Sequence, residues 1–169
     1  KNSQNLLAFI DNHDVVRWLV KHPSVEGLKQ AIGLLLTIPR IPQIYYGTEI
    51  LMSGDGNGKS DGNMRQDYPW NRPLTAEQQD FKVYIAKLLK WRRGCKAITE
   101  GKMMHFVPLD GNVYVYFRYL RDNNGNVDDS NVVMIVVNFS EENEEVDLCR
   151  FKEMLSVCEL WHDVICVEF

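Results

Sequence analysis

No apolar run in these 169 residues approaches the roughly 20 positions that a membrane-spanning helix needs. The longest, Val132 to Val137, is the length of a strand. Cations are not in excess either: 19 Lys and Arg stand against 23 Asp and Glu, for a net charge of −4. Nucleic-acid binding needs clustered Lys and Arg to displace counterions from phosphate, so that class of partner is excluded. Cysteine is scarce and scattered. Cys95, Cys149, Cys158 and Cys166 form no C-x-x-C pair, which leaves a zinc site without support, and they are too few for a disulfide scaffold. They read instead as small half-buried residues on strands and at a helix end. No charged-then-apolar leader is present, so the expectation is that these residues include no signal peptide, whether one was removed or the chain is a piece of something longer. No internal repeat is visible. The remaining proportions, 45% hydrophobic and 25% charged, are those of a folded chain with one sizeable core or two small ones.

Up to about Gly101, short apolar runs alternate with helical periodicity. Leu6 to Ile10 reads as a buried strand, stopped by Asp11-Asn12-His13-Asp14. Pro23-Ser24 signals a helix start, and Leu28, Ala31, Ile32, Leu35 and Leu36 then fall on one broad face. Pro39 and Pro42 end that helix, and Gln43 to Tyr46 reads as a second short strand closed by Gly47. Ser53 to Asn63 is a polar loop. In Thr75-x-x-Gln78 the hydroxyl and the amide can satisfy helix N–H donors reciprocally, which predicts a helix start there. Phe81, Tyr84, Ile85, Leu88, Leu89 and Trp91 are expected on its apolar face. Lys90, Arg92 and Arg93 suit the negative end of its dipole, with Gly94 as a left-handed stop.

From Met103 the period becomes two. Met103 to Leu109 and Val113 to Leu120 flank Asp110-Gly111, which predicts a hairpin. Asn123-Asn124-Gly125 opens a polar loop, Val132 to Phe139 is a third strand, and Glu141 to Glu145 is a solvated turn. Weaker strands are expected near Val146, at Cys158 to Trp161 and at Val164 to Phe169. The predicted organisation is two β/α units with a right-handed crossover over residues 1–101, then an antiparallel β domain over 102–169. Two such units cannot cover both faces of their strands, so the first half reads as the tail of a larger α/β domain.

Carboxylates, His and Arg clustered after a parallel strand occupy the place where barrel enzymes keep their sites. By itself, Asp11 to Asp14 is equally a strand-ending turn, because Asp and Asn bond their own backbone. The wider pattern goes further. Phe9-x-x-Asn12-His13-Asp14-x-x-Arg17 resembles the motif at the seventh barrel strand of the α-amylase family, glycoside hydrolase family 13. Pro42-Gln43-Ile44-Tyr45-Tyr46-Gly47-Thr48-Glu49 resembles that family's eighth-strand motif, one helix later. Asp61-x-x-x-Arg65, then Asp67, Pro69 and Trp70, resembles the loop that follows, and Tyr45 to Gly54 is most similar to the neopullulanase and cyclomaltodextrinase branch.

The resemblance implies the end of a (β/α)8, or TIM, barrel followed by an all-β antiparallel sandwich. It implies that Asp14 is the carboxylate that stabilises the transition state and that His13 donates to the same sugar. Asp61 and Arg65 would hold the next sugar towards the non-reducing end. Asn12 would be a turn residue supporting them, and Arg17 would pair with a carboxylate to fix the loop. One of Tyr45 and Tyr46 is expected in the core, Glu49 is expected to be structural, and Trp70 either stacks on a sugar or packs on the last helix. His22, His105 and His162 are expected at the surface. The family's nucleophilic Asp and acid/base Glu belong to motifs on earlier strands, and no Gly-x-Arg-x-Asp motif occurs here.

The implied partners are α-glucan oligosaccharides or cyclodextrin, acted on through α-1,4 or α-1,6 bonds, and the implied full-length enzyme is homodimeric in some relatives. No metal or cofactor is expected in this segment. Asp55 to Asp61 is superficially a calcium loop, but Lys59 stands at a ligand position and no Glu closes it at Gln66. Calcium in an upstream part is compatible with the family. Resemblance to bacterial starch-utilisation enzymes points to the periplasm or exterior and leaves the cytoplasm open. One departure is Arg40, where the family has Gly: the expectation is either a strained strand entry or a cation turned to solvent. Two rivals remain: a family-13-like protein without catalysis, and a carbohydrate-binding β module presenting Tyr114 and Tyr116 on one face.

Overall fold

Ser24 starts the first long helix by accepting the Gly27 N–H on its hydroxyl at 3.0 Å. In the computed structural model, which describes residues 6–54, 61–108 and 111–155, that helix belongs to the first of two compact units. One unit comprises Lys1–Leu36 with Arg40–Trp91, the other Thr37–Pro39 with Arg92–Phe169. The break falls at Trp91, ahead of the change of period at Gly101.

The first unit carries β1 (Leu7–Ala8), α1 (Trp18–Lys21), α2 (Val25–Thr37, whose last residue groups with the other unit), β2 (Ile41–Pro42), α3 (Asp61–Met64) and α4 (Ala76–Gly94, of which Arg92 onward groups with the other unit). On α2 the five predicted residues Leu28, Ala31, Ile32, Leu35 and Leu36 are all buried. Each large one contributes roughly 1.5–3 kcal/mol of hydrophobic stabilisation. The capping box of α4 forms in both directions: Thr75 N–H donates to Gln78 Oε1 at 3.1 Å, and Gln78 N–H donates to Thr75 Oγ1 at 3.2 Å. Phe81, Ile85 and Leu88 are buried, and Tyr84 donates to the Lys29 carbonyl at 3.1 Å, joining α4 to α2.

Several expectations for this unit are corrected. The strands pair in parallel, as the crossover requires, but β2 lies at Ile41–Pro42 instead of Gln43 to Tyr46. Pro42 has no N–H to extend the ladder, so pairing ends once Gln43 N–H reaches the Ala8 carbonyl at 2.8 Å. β1 is not buried: Leu6, Leu7, Phe9 and Ile41 are all exposed, because among the described residues β1 and β2 pair only with each other. Leu89 lies off the apolar face and is exposed. Gly94 is not a left-handed stop. It is the last residue of α4, and extended Cys95 ends the helix. Arg40 is half-buried with ordinary backbone, so the strained entry does not occur.

The second unit carries α5 (Lys96–Thr99), β3 (Lys102–Phe106), β4 (Val113–Arg121) and β5 (Val127–Asn138), with antiparallel sheet order β3-β4-β5. Gly111 has φ +83° at the first turn, while Asp110 lies outside the described residues. At the second turn Gly125, with φ +86°, lets the Asp122 N–H meet the Asn126 carbonyl at 2.9 Å. β5 therefore starts earlier than the apolar run alone suggests. On one face Val115, Phe117 and Tyr119 pack with Phe151 and Met154. On the other, Arg118 and Tyr116 are fully buried. Arg118 donates from Nε to the Lys102 carbonyl (3.3 Å), from Nη2 to the Gly101 carbonyl (2.9 Å) and from Nη1 to the Thr37 carbonyl. The Tyr116 hydroxyl is bonded to Thr37 Oγ1, and burial pushes it up to about 12. Gly101 is required here, because a Cβ would lie 2.1 Å from the Ala97 carbonyl. The strand expected near Val146 is absent: the backbone there is irregular and runs into a 3-10 turn at Leu148–Phe151. Cys158 to Trp161 and Val164 to Phe169 lie outside the described residues.

Candidate functional site

The polar group after β1 is built by local hydrogen bonds. Asn12 Oδ1 accepts from Asp14 N–H (2.8 Å) and Val15 N–H (2.9 Å), folding the backbone so that His13 and Asp14 project outward. Asn12 thus holds the turn on which His13 and Asp14 sit. Asp11 turns inward and is buried. Its carboxylate accepts from Thr48 Oγ1 at 3.2 Å and from the Trp18 N–H at 3.1 Å, the first helical N–H of α1.

Four of the sequence-predicted residues meet. Asp14 Oδ2 lies 3.2 Å from His13 Nε2, and Asp14 Oδ1 lies 3.1 Å from Arg65 Nη2. The same Nη2 reaches Asp61 Oδ2 at 3.3 Å, and Arg65 Nε donates to the His13 carbonyl at 3.2 Å. α3 explains the Asp61–Arg65 spacing, because Arg65 sits one turn on and its N–H reaches the Asp61 carbonyl at 3.1 Å. All four side chains face water, Asp14 at 64% and Asp61 at 71% exposure. Pairs this exposed contribute about 0–1 kcal/mol each. The cluster is an accessible set of two carboxylates, one imidazole and one fork donor.

Arg17 is placed differently from expectation. It is buried, and its Nη1 donates to the Tyr46 carbonyl at 2.6 Å, with no carboxylate partner among the described residues. Its guanidinium stands 4.3 Å from the Tyr45 ring centroid and 5.1 Å from that of Tyr46. Weak guanidinium hydration and planarity favour this stacking. Consequently neither tyrosine is a core residue: Tyr45 is half-buried and Tyr46 exposed. Burial raises the Tyr45 hydroxyl above its usual 10. Tyr45 also lies 6.5 Å from His13, so Arg17 supports the cluster's floor through aromatic rings. No local signal foretells that, because the partners are 28 and 29 positions away.

Further out, burial and then the nearby Glu49 carboxylate raise the Tyr68 hydroxyl above its usual 10. Trp70 packs on Tyr68 and not on α4. His22 and His105 are exposed, while His162 and most of the Asp55 to Asp61 loop lie outside the described residues. No group of three or more His, Cys, Asp and Glu side chains among the described residues is arranged to hold a metal ion. In the second unit Tyr116 is fully buried and Tyr114 half-buried, so the pair does not present the exposed flat aromatic face expected of a sugar-binding module there.

The chain is similar to several known proteins. Residues 103–167 match the family model described as the cyclo-malto-dextrinase C-terminal domain. A cyclomaltodextrin glucanotransferase of Paenibacillus macerans is 47% identical over 97 residues, covering 57% of this chain and 12% of that protein. An α-amylase of Niallia circulans is 33% identical over 117 residues, covering 69% of this chain and 20% of that protein. Among solved structures, the cyclomaltodextrin glucanotransferase CldA superposes with a TM-score of 0.60 at 30% identity, over 82% of this chain and 25% of that one. A cyclomaltodextrinase at 20% identity shares the fold with a TM-score of 0.64, over 80% of this chain and 21% of that one. The chain thus spans about one eighth to one fifth of the curated relatives named here. With two ordered motifs, a clustered Asp14–Arg65–Asp61 and this C-terminal match in one sequence, the chain belongs to the α-amylase family, glycoside hydrolase family 13.

Proposed function

We propose that these residues supply the sugar-gripping half of an active site in a retaining, α-glucan-acting enzyme. The observation that carries the reading is that one atom, Arg65 Nη2, contacts both Asp14 and Asp61, drawn from segments far apart in sequence. A strand-ending turn has no use for that bridge, whereas a saccharide needs acceptors and fork donors set side by side around vicinal hydroxyls.

Retaining glycoside chemistry uses a carboxylate nucleophile and a carboxylic acid about 5–5.5 Å apart, through an oxocarbenium-like transition state. No Gly-x-Arg-x-Asp motif occurs here, and on this reading the nucleophile and the acid both belong to other parts of the protein, so the 169 residues alone are expected to turn over no α-glucan. Asp14 accepts from sugar hydroxyls whose hydrogen bonds strengthen as the ring flattens. His13 donates to a hydroxyl of that sugar, and Asp61 with Arg65 holds the adjacent unit. The covalent intermediate is resolved by water or by another sugar hydroxyl, so the same residues serve hydrolysis and transfer. Relatives named as glucanotransferases and amylases, and a related amylase solved with acarbose, support an α-glucan as the ligand. Asp61→Ala in the full-length enzyme is expected to raise KM for long oligosaccharides while leaving kcat within about threefold, since its sugar lies away from the cleaved bond. A KM unchanged across oligosaccharide lengths would contradict the assignment.

A further inference from the structure

The loop that leaves the sugar cluster carries a feature the cluster does not use. Trp70 is 86% exposed, the most exposed of the large hydrophobic side chains described. Its indole lies against the Tyr68 ring, with centroids 4.3 Å apart and planes inclined by 39°. Tyr68 is half-buried, with the Glu49 carboxylate close enough to raise its hydroxyl, after burial, above the usual 10. The backbone is turned tightly beneath the pair: Trp70 N–H donates to the Tyr68 carbonyl at 2.8 Å, and Arg72 Nη1 donates to Gln78 Oε1, the α4 capping residue, at 3.4 Å. The indole is therefore fixed on one side and open on the other. Leaving it in water forgoes the large burial that makes Trp worth placing in a fold.

The same loop lines a cleft of about 370 Å³ whose walls include Leu51, Met52, Gln66, Asp67, Pro69 and Arg72. Gln66 directly follows Arg65, and its carbonyl accepts from the Tyr46 hydroxyl at 2.8 Å, so the cleft begins where the Asp14–Arg65–Asp61 cluster ends. Its chemistry is mixed: an amide, a carboxylate and a guanidinium share the walls with apolar Leu51, Met52 and Pro69. A glucose unit is complementary to such a surface. One pyranose face presents only C–H bonds, apolar and slightly positive, towards a π face that is slightly negative. The hydroxyls project around the rim, where Gln66, Asp67 and Arg72 offer both acceptors and donors.

We infer that Tyr68 and Trp70 form a stacking platform for a further glucose unit of the bound α-glucan, extending the grip of the Asp14–Arg65–Asp61 cluster along the chain of sugars. This rests on reading that cluster as a sugar site. The platform contributes affinity for long glucans and little for short ones, because a short ligand is held by the cluster alone.

The test uses the whole chain with maltotriose and maltoheptaose as probes, and titration calorimetry on the unaltered protein, Trp70→Ala, Trp70→Phe and Asp61→Ala. Circular dichroism confirms that each variant folds. Trp70→Ala is expected to weaken maltoheptaose by roughly tenfold and maltotriose by less than about twofold, with Trp70→Phe retaining most of the affinity. Asp61→Ala weakens both sugars. If Trp70→Ala binds maltoheptaose normally while Asp61→Ala does not, the platform is wrong and the cluster stands. If only Trp70→Ala loses affinity, the platform stands and the cluster's assignment falls. Absence of binding by the unaltered chain, or affinity untouched by every variant, overturns both.

Discussion

Arg65 and Arg118 each spread a guanidinium over three oxygens, and the difference in those oxygens separates recognition from architecture. Arg65 reaches two carboxylates and one carbonyl on an open surface. Arg118 is buried and reaches three carbonyls, with burial and then the neighbouring Arg92 lowering its pKa from the ordinary arginine value. Water competes freely for the first set, so its pairs add little stability and its oxygens remain available to a ligand. The second set is withdrawn from water, and loss of the donor would strand the carbonyls. Arg17 stands between the two, as buried as Arg118 yet placed beneath the residues that carry the site.

The sharpest way to break this comparison is Arg118→Met, which keeps much of the volume and removes every donor. It is expected to destabilise the protein by on the order of 4 kcal/mol, read as a large shift of the denaturant midpoint. A loss below about 1 kcal/mol would mean that the buried carbonyls find other donors.

A second effect follows from Tyr116. Its hydroxyl is pushed up to about 12, whereas the unfolded chain releases that proton near 10. The folded state retains the proton in between, so stability is full below pH 10 and falls as pH rises towards 12. The slope approaches about 1.4 kcal/mol per pH unit. Tyr84, also raised to about 12 by burial, adds to the same limb. Tyr116→Phe should flatten it in thermal melts taken between pH 9 and 12, and an unchanged slope would remove Tyr116 as its source.

Arg65→Ala should give the smallest change in stability, within about 1 kcal/mol, because its pairs are exposed. The same variant should abolish detectable maltooligosaccharide binding. Unaltered binding would show that the bridge between Asp14 and Asp61 is incidental.

Features set by near neighbours were legible in the sequence. The apolar face of α2, the capping box of Thr75 and Gln78 and the turn at Asn12 follow from spacings of two to four residues. Asp14, Asp61, Arg65 and His13 were legible as a set through motif resemblance, and their meeting around Arg65 Nη2 is a structural finding. What escaped depends on distant partners. Arg17 carries the same charge whether it faces a carboxylate or two tyrosine rings. Alternation along β4 places Tyr116 opposite Phe117 but does not reveal that Thr37 closes over its hydroxyl. The composition of Gln43 to Tyr46 suggests a strand, but the pairing is confined to Ile41–Pro42, where Pro42 has no N–H to extend the ladder.

In the proposed function, Asp14 acts on the sugar at the bond being cleaved. The most direct test is Asp14→Asn in the full-length enzyme, measured as kcat alongside affinity for an unreactive oligosaccharide. The account predicts that kcat falls by roughly 10²–10⁴, the equivalent of about 3–5 kcal/mol of transition-state stabilisation, while the unreactive ligand weakens far less. Near-normal kcat in a properly folded Asp14→Asn protein would contradict it and return Asp11 to Asp14 to the role of a strand-ending turn.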